Sequence, residues 1–192
     1  TVKLDGVKYE DQHNRWNYCG PANFSMALTY WGWDGNRDVI GKAIKPGDKD
    51  KNVMPYELQD FVTDEVSGMS SVMRYGGDID TLKRLVSAGF PIVAEKGYYE
   101  RDYSGKIGWM GHYQFVTGYD DANGVVIAQD TYRDVPNLPI PYEEFMEGWR
   151  SFNYVFVVVY PSERESEVWN LLGPLAIADD AARQALTLAQ NE

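Results

Sequence analysis

A chain of 192 residues and 21.8 kDa is long enough for one domain with a sizeable core and a small appendage, and too short for two full domains. With 44% hydrophobic and 24% charged residues it reads as globular rather than disordered, and aromatic content is high at 14%. A formal charge of -11 repels phosphate backbones and anionic lipid, which are held mainly through Lys and Arg, so no nucleic-acid partner is expected. No stretch approaches the roughly 18 apolar residues of a membrane helix. The longest apolar run is Val155 to Tyr160, and no membrane insertion is expected. The sequence starts at Thr1, without initiator Met or signal peptide, which reads as a processed or trimmed piece of a longer precursor. That leans towards an extracytoplasmic or secreted protein and leaves a cytoplasmic one open.

Val2, Leu4, Val7 and Tyr9 alternate with polar residues around Asp5-Gly6, which predicts a short hairpin with a tight turn. From Cys19 the spacing changes. Pro21 suits a first helical turn, and Phe24, Ala27, Leu28 and Trp31 recur at helical intervals, with Ala22, Met26 and Tyr30 on the flank. A helix apolar nearly all round should be buried. Shorter helices are predicted near Asp38 to Ile44, Pro55 to Val66 and Asp78 to Ala88. Beyond Gly89 the pattern turns to strands at Pro91 to Lys96, Tyr113 to Tyr119, Val125 to Gln129 and Tyr154 to Tyr160, with Asn123-Gly124 as a turn. Helices followed by strands argue for an α+β architecture. The aromatic segment Gly97 to Gly111 is read as a long loop just before His112, functional or mobile. Past Pro161, Val168, Leu171, Leu172 and Leu175, then Ala178, Ala181, Ala182, Ala185, Leu186 and Ala189, predict a helical tail. The division expected is 1–161 as the main domain and 162–192 as the tail. The tail is read either as the start of a helical repeat that binds a protein partner or as a helix packed on the main domain.

Cys19 is the one cysteine, so no internal disulfide forms, and the thiol is either a small buried apolar residue or a reactive group. At the start of a buried helix the unpaired N–H groups and the dipole favour a thiolate. Cysteine catalysis also needs a base, a group that orients the base, and donors for the oxyanion. Of the two histidines, His112 opens an apolar strand after Gly111, whose missing side chain is expected to leave space beside the imidazole. His13 falls in a polar turn and is read as surface. Asp130 ends the next strand at an offset of 130 − 112 = 18. Residues with paired positions share a sheet face, so His112 and Asp130 face each other only if their strands pair with an even sum. A plain two-residue Asn123-Gly124 turn pairs Ala122 with Val125, an odd sum. The turn must therefore be odd or the hairpin bulged. Gln12, 19 − 12 = 7 residues before the thiol, could add its amide to the backbone N–H of Cys19 in an oxyanion hole.

Tyr9-Glu-Asp-Gln12, Asn17-Tyr-Cys19-Gly-Pro-Ala22, Gly111-His112-Tyr-Gln-Phe-Val-Thr-Gly118-Tyr and Ile127-Ala-Gln-Asp130, in this order and spacing, resemble the papain-like cysteine peptidases. Among these the strings are most similar to the bacteriocin-processing, double-glycine-leader type and its free-standing relatives, over about Tyr9 to Tyr160. The resemblance implies a helical lobe carrying the thiol, an antiparallel sheet lobe carrying His and Asp, and a cleft between them. It also implies peptide or protein substrates and no cofactor, with Cys19 as nucleophile, His112 as base, Asp130 as its partner and Gln12 as oxyanion donor. Two other readings compete with amide hydrolysis: an acyl transferase or deamidase using the same thioester chemistry, and a peptide-binding module with an idle site. A metal site built from Cys19 with a histidine matches no usual zinc spacing.

Overall fold

The structure is a computed structural model that describes residues 1–15, 17–45, 47, 52–102 and 104–190. Its centre is an antiparallel sheet of β1 (Val2–Lys3), β2 (Met69–Arg74), β3 (Ile92–Arg101), β4 (Ile107–Asp120), β5 (Val125–Asp130), β6 (Val135–Pro141) and β7 (Phe156–Pro161). The order is β2-β7-β3-β4-β5-β6, with β1 pairing on β4. Helices cover both faces: α1 (Cys19–Tyr30), α2 (Arg37–Ile44) and α3 (Pro55–Glu65) on one, α4 (Ile79–Ser87), α5 (Tyr142–Arg150), α6 (Glu165–Leu172) and α7 (Ala178–Gln190) on the other.

Strand alternation divides the core in two. Val93, Tyr113, Phe115, Val157 and Val159 pack with Phe24, Met26, Leu28, Leu58 and Phe61 beneath α1 to α3. Ile92, Ala94, Val116, Phe156 and Val158 turn the other way, onto Leu82, Leu85, Phe145, Trp149, Val168 and Leu172. α1 is buried from Gly20 to Leu28, as its all-round apolar pattern requires. This is the expected α+β arrangement, a helical lobe packed on an antiparallel sheet with a helical tail. Val168, Leu172, Leu175 and Ala181 of that tail are buried in the same cluster as α4 and α5.

Several local expectations are corrected. The N-terminal segment forms no hairpin on itself; Val2 and Lys3 pair with Tyr119 and Gly118, where β3 has ended and left that side of β4 open. Hydrogen bonding to a finished sheet outweighs a two-stranded hairpin, which is marginal alone. Residues 97–101 and 107–111 are no irregular loop, because β3 and β4 stay paired from Gly97↔Gly111 out to Arg101↔Ile107. Tyr98 and Tyr99 in one arm and Ile107 and Trp109 in the other are residues that suit a strand, and Asp102 Oδ1 ties the tip by accepting from the N–H groups of Ser104 and Lys106, both at 2.9 Å. Gly111 does not leave room beside the imidazole: a Cβ there would lie 2.7 Å from Phe152 Cζ, so an aromatic ring fills the space. That ring stacks on Trp109, with centroids 5.8 Å apart.

Candidate active site

Cys19 is the first residue of α1, half-buried, with its thiol beside the His112 imidazole and the N–H groups of Tyr113 and Gly20. Burial pushes the thiol pKa up, but these neighbours pull it further down, leaving it below the ordinary thiol value. His112 sits on β4, and Asp130 ends β5. Both side chains are 0% exposed, and Nε2 of the imidazole stands 3.3 Å from Asp130 Oδ1 without an aligned hydrogen bond. Such looseness is usual before substrate tightens a site.

The register explains how the two meet. Asp120 pairs with Val125 across a four-residue turn, an odd sum, and a bulge between Val116 and Gly118 converts the pairing to Val116↔Ala128 and Phe115↔Gln129, an even sum. Continued outward, that register sets Asp130 opposite Gln114, two residues from His112 on the same face. Gln114 Nε2 accordingly donates to Asp130 Oδ2 at 2.7 Å, while the N–H groups of Tyr132 and Arg133 donate to Oδ1 at 3.0 and 2.9 Å.

Charge follows from this wiring. Burial favours a neutral Asp130, but the imidazole, the Arg133 N–H and the Gln114 amide hold its carboxyl well below the usual range. Burial likewise favours a neutral His112, yet the carboxylate and the thiol hold its pKa at about 9. Along the row of thiol, imidazole and carboxylate, the charged form of each group therefore favours the charged form of the next. Tyr98 and Tyr132 stand edge-on to the imidazole at 6.0 and 6.2 Å between ring centroids, walling it from solvent.

Gln12 is 7% exposed and belongs to a buried network. Its Oε1 accepts from the Thr131 hydroxyl at 2.8 Å, and Thr131 Oγ1 accepts from Asn23 Nδ2 at 3.1 Å. Asn23 Nδ2, one turn after the cysteine on α1, shares its two hydrogens among that hydroxyl and the carbonyls of Cys19 (2.9 Å) and Tyr113 (2.8 Å), and its Oδ1 accepts from the Phe115 N–H (2.8 Å). Asn23, Thr131 and Gln114 were not singled out from the sequence. A carboxamide in a largely apolar helix, four places and so about one turn after Cys19, is the available signal for Asn23. His13 is a partly covered surface residue, its side chain 34% exposed: Nε2 lies 3.3 Å from the Tyr132 carbonyl and Nδ1 4.0 Å from Asp134. Asp11, His13 and Asp134 each place one ligand atom within 4.8 Å of the others. Asp11 Oδ1 is already taken by the His13 N–H and the Arg37 guanidinium.

A protein-family model described as the Peptidase C39-like family matches residues 4–157. The chain belongs to the Peptidase C39-like family. Solved structures carry the fold likeness, all at low identity. A protein described as a C39-like peptidase from Bacillus anthracis superposes with a TM-score of 0.67 at 18% identity, over 83% of this chain and 96% of that one. The peptidase domain of Streptococcus ComA, a bifunctional ABC transporter of a quorum-sensing pathway, gives 0.58 at 15%, over 84% and 100%. The N-terminal peptidase C39-like domain of a toxin secretion ATP-binding protein from Vibrio parahaemolyticus gives 0.50 at 10%, over 81% and 100%. No curated protein matches the chain. The family supports proteolysis of the cysteine-peptidase type in general, on peptide substrates. Among the described residues, no helix is long and apolar enough to cross a membrane.

Proposed function

We propose that this C39-like protein hydrolyses peptide amide bonds through an acyl-enzyme on Cys19, with His112 as general base and acid, Asp130 as its orienting partner and Gln12 as an oxyanion donor. The observation carrying the reading is the Cys19–His112–Asp130 row at the start of α1, with thiol lowered and imidazole raised. The thiolate attacks the scissile carbonyl carbon, and the C=O electron pair moves onto oxygen. That oxyanion meets the Cys19 backbone N–H and the Gln12 amide. The imidazolium gives its proton to the leaving nitrogen as the C–N bond breaks, and the acyl group stays on sulfur. Water then enters; the neutral imidazole takes its proton as oxygen attacks, and the C–S bond breaks to release the acid and restore the thiolate.

The peptidase unit is proposed to span 1–161, with 162–192 as a helical tail available to a protein partner. The test of the reaction is incubation with a diverse peptide library and mass-spectrometric detection of new termini. The wild-type protein is expected to cleave and Cys19→Ala to leave every peptide intact; equal cleavage by both would overturn the mechanism.

A further inference from the structure

The network behind Gln12 has a direction, set by the main chain. The Phe115 N–H donates to Asn23 Oδ1, which identifies the oxygen end of that carboxamide. Its other end, Nδ2, therefore faces the carbonyls of Cys19 and Tyr113 and the Thr131 hydroxyl. With a donor pointed at its oxygen, Thr131 directs its own hydrogen to Gln12 Oε1 at 2.8 Å. Thr131 and Asn23 are both 0% exposed, so solvent does not substitute for either bond. The Gln12 main chain is tied to the same residue, its N–H donating to the Thr131 carbonyl at 3.4 Å.

We propose that Thr131 is a positioning residue: its hydroxyl holds Gln12 Oε1 so that Nε2 alone is left to face the oxyanion. The proposal rests on the peptidase reading above. Gln12 Nε2 donates to none of the described residues and, unlike the His112 nitrogens, is not sealed from solvent. A carboxamide can rotate by half a turn at little steric cost, and the flipped form would aim lone pairs at a developing negative charge. Losing the Thr131 hydroxyl therefore removes a donor and admits a repulsive alternative. Asp130 immediately precedes Thr131, so one turn at the end of β5 would set both the imidazole and the oxyanion donor.

Two reactions of Cys19 separate orientation of Gln12 from integrity of the site. p-Nitrophenyl acetate acylates the thiolate through a tetrahedral oxyanion, with p-nitrophenolate leaving and acetyl remaining on sulfur. Iodoacetamide alkylates the thiolate by displacement of iodide, with no oxyanion. Thr131→Val is expected to slow acylation by up to the roughly 10²-fold loss of Gln12→Ala, while alkylation is unchanged. Thr131→Ser is expected to acylate like the wild type, and adding Thr131→Val to Gln12→Ala should cost nothing further. Wild-type acylation rates in Thr131→Val, or equal losses in both reactions, would overturn the role of Thr131 and leave the peptidase reading standing. A wild-type protein whose Cys19 neither acylates nor alkylates faster than free cysteine would overturn both. Should Thr131→Val fail to fold, Thr131→Ala makes the same comparison.

Discussion

Asp130 has two oxygens that accept from Gln114, Tyr132 and Arg133, with the His112 imidazole a further 3.3 Å neighbour of Oδ1. Asparagine can meet most of these demands. Its oxygen can keep the Oδ1 position, facing the two main-chain N–H groups and the imidazole, while its NH2 turns towards Gln114. Gln114 Oε1 is buried without a partner, so a flip of that carboxamide supplies the missing acceptor. Asp130→Asn should therefore fold, and what it loses is the negative charge behind the imidazole. Activity of the wild type is expected to decline as pH rises through about 9, where His112 gives up its proton. On the acid side it should persist well below the ordinary thiol range, because the Cys19 thiol is lowered. Without the carboxylate the imidazolium is weaker: the alkaline limb moves down, and the thiol, less well paired, moves its acid limb up. The window narrows from both sides. The loss at the optimum should be smaller than the roughly 10²–10⁴-fold expected of His112→Ala. Rates of peptide cleavage against pH for the three proteins, with iodoacetamide alkylation following the acid limb of the thiol, provide the check. An unshifted alkaline limb in Asp130→Asn would show that the carboxylate does not sustain the imidazolium.

Among the elements, α1 is held to the sheet by Asn23 as well as by apolar contact. The carboxamide bridges Tyr113 O and Phe115 N on β4, groups that a neighbouring strand would otherwise take. Asn23→Ala leaves both buried and unpaired, and at about 1–3 kcal/mol for each such group the expected destabilisation is roughly 2–6 kcal/mol. Asn23→Asp should be worse, since a carboxylate oxygen would face the carbonyls of Cys19 and Tyr113. Urea unfolding of the two variants tests this; equal stability of wild type and Asn23→Ala would show that the clamp contributes nothing net.

The same elements show how far sequence periodicity reaches. It located α1 through α4 and the cores of β3, β4, β5 and β7, because each buries an apolar face. Strand parity also required either an odd turn or a bulge if His112 and Asp130 were to share a face, and the register contains the bulge. Periodicity did not reveal β6, whose Pro136, Pro139 and Pro141 suit only a sheet edge, the place it occupies. Nor did it reveal β2, the opposite edge, where Ser70 and Ser71 dilute the apolar signal, or α5, a short helix whose buried residues are Phe145, Gly148 and Trp149. Relations through side-chain amides, such as Asn23 to Thr131 to Gln12, connect residues more than a hundred positions apart and leave no local trace.

For the whole molecule the question is how firmly the tail belongs to it. Burial grades along the segment: Val168, Leu172 and Leu175 are buried in the core cluster that also holds residues of α4 and α5, whereas α7 buries only Ala181 and Ala185. α7 lies against the turn after β2. Gly76 has φ +72 there, and a Cβ would meet Ala181 O at 2.6 Å and Ala185 N at 2.8 Å, both main-chain atoms that cannot swing aside. Gln184 Nε2 donates to the Gly76 carbonyl at 2.7 Å, so the close approach is also a hydrogen-bonded one. Gly76→Ala adds backbone strain to a steric overlap and should cost about 1–3 kcal/mol. Release of α7, which has little buried surface, relieves the overlap more cheaply than a shift of the sheet does. The variant is therefore expected to be cut rapidly by a nonspecific protease within 177–190. Residues up to 176 should stay protected, and Cys19, covered from the sheet's other face, should acylate at the wild-type rate. If the cuts extend back to Pro161, the tail detaches as one unit, in keeping with a boundary at that residue. If Cys19 acylation falls in step with proteolysis, α7 is part of the framework that holds the active site.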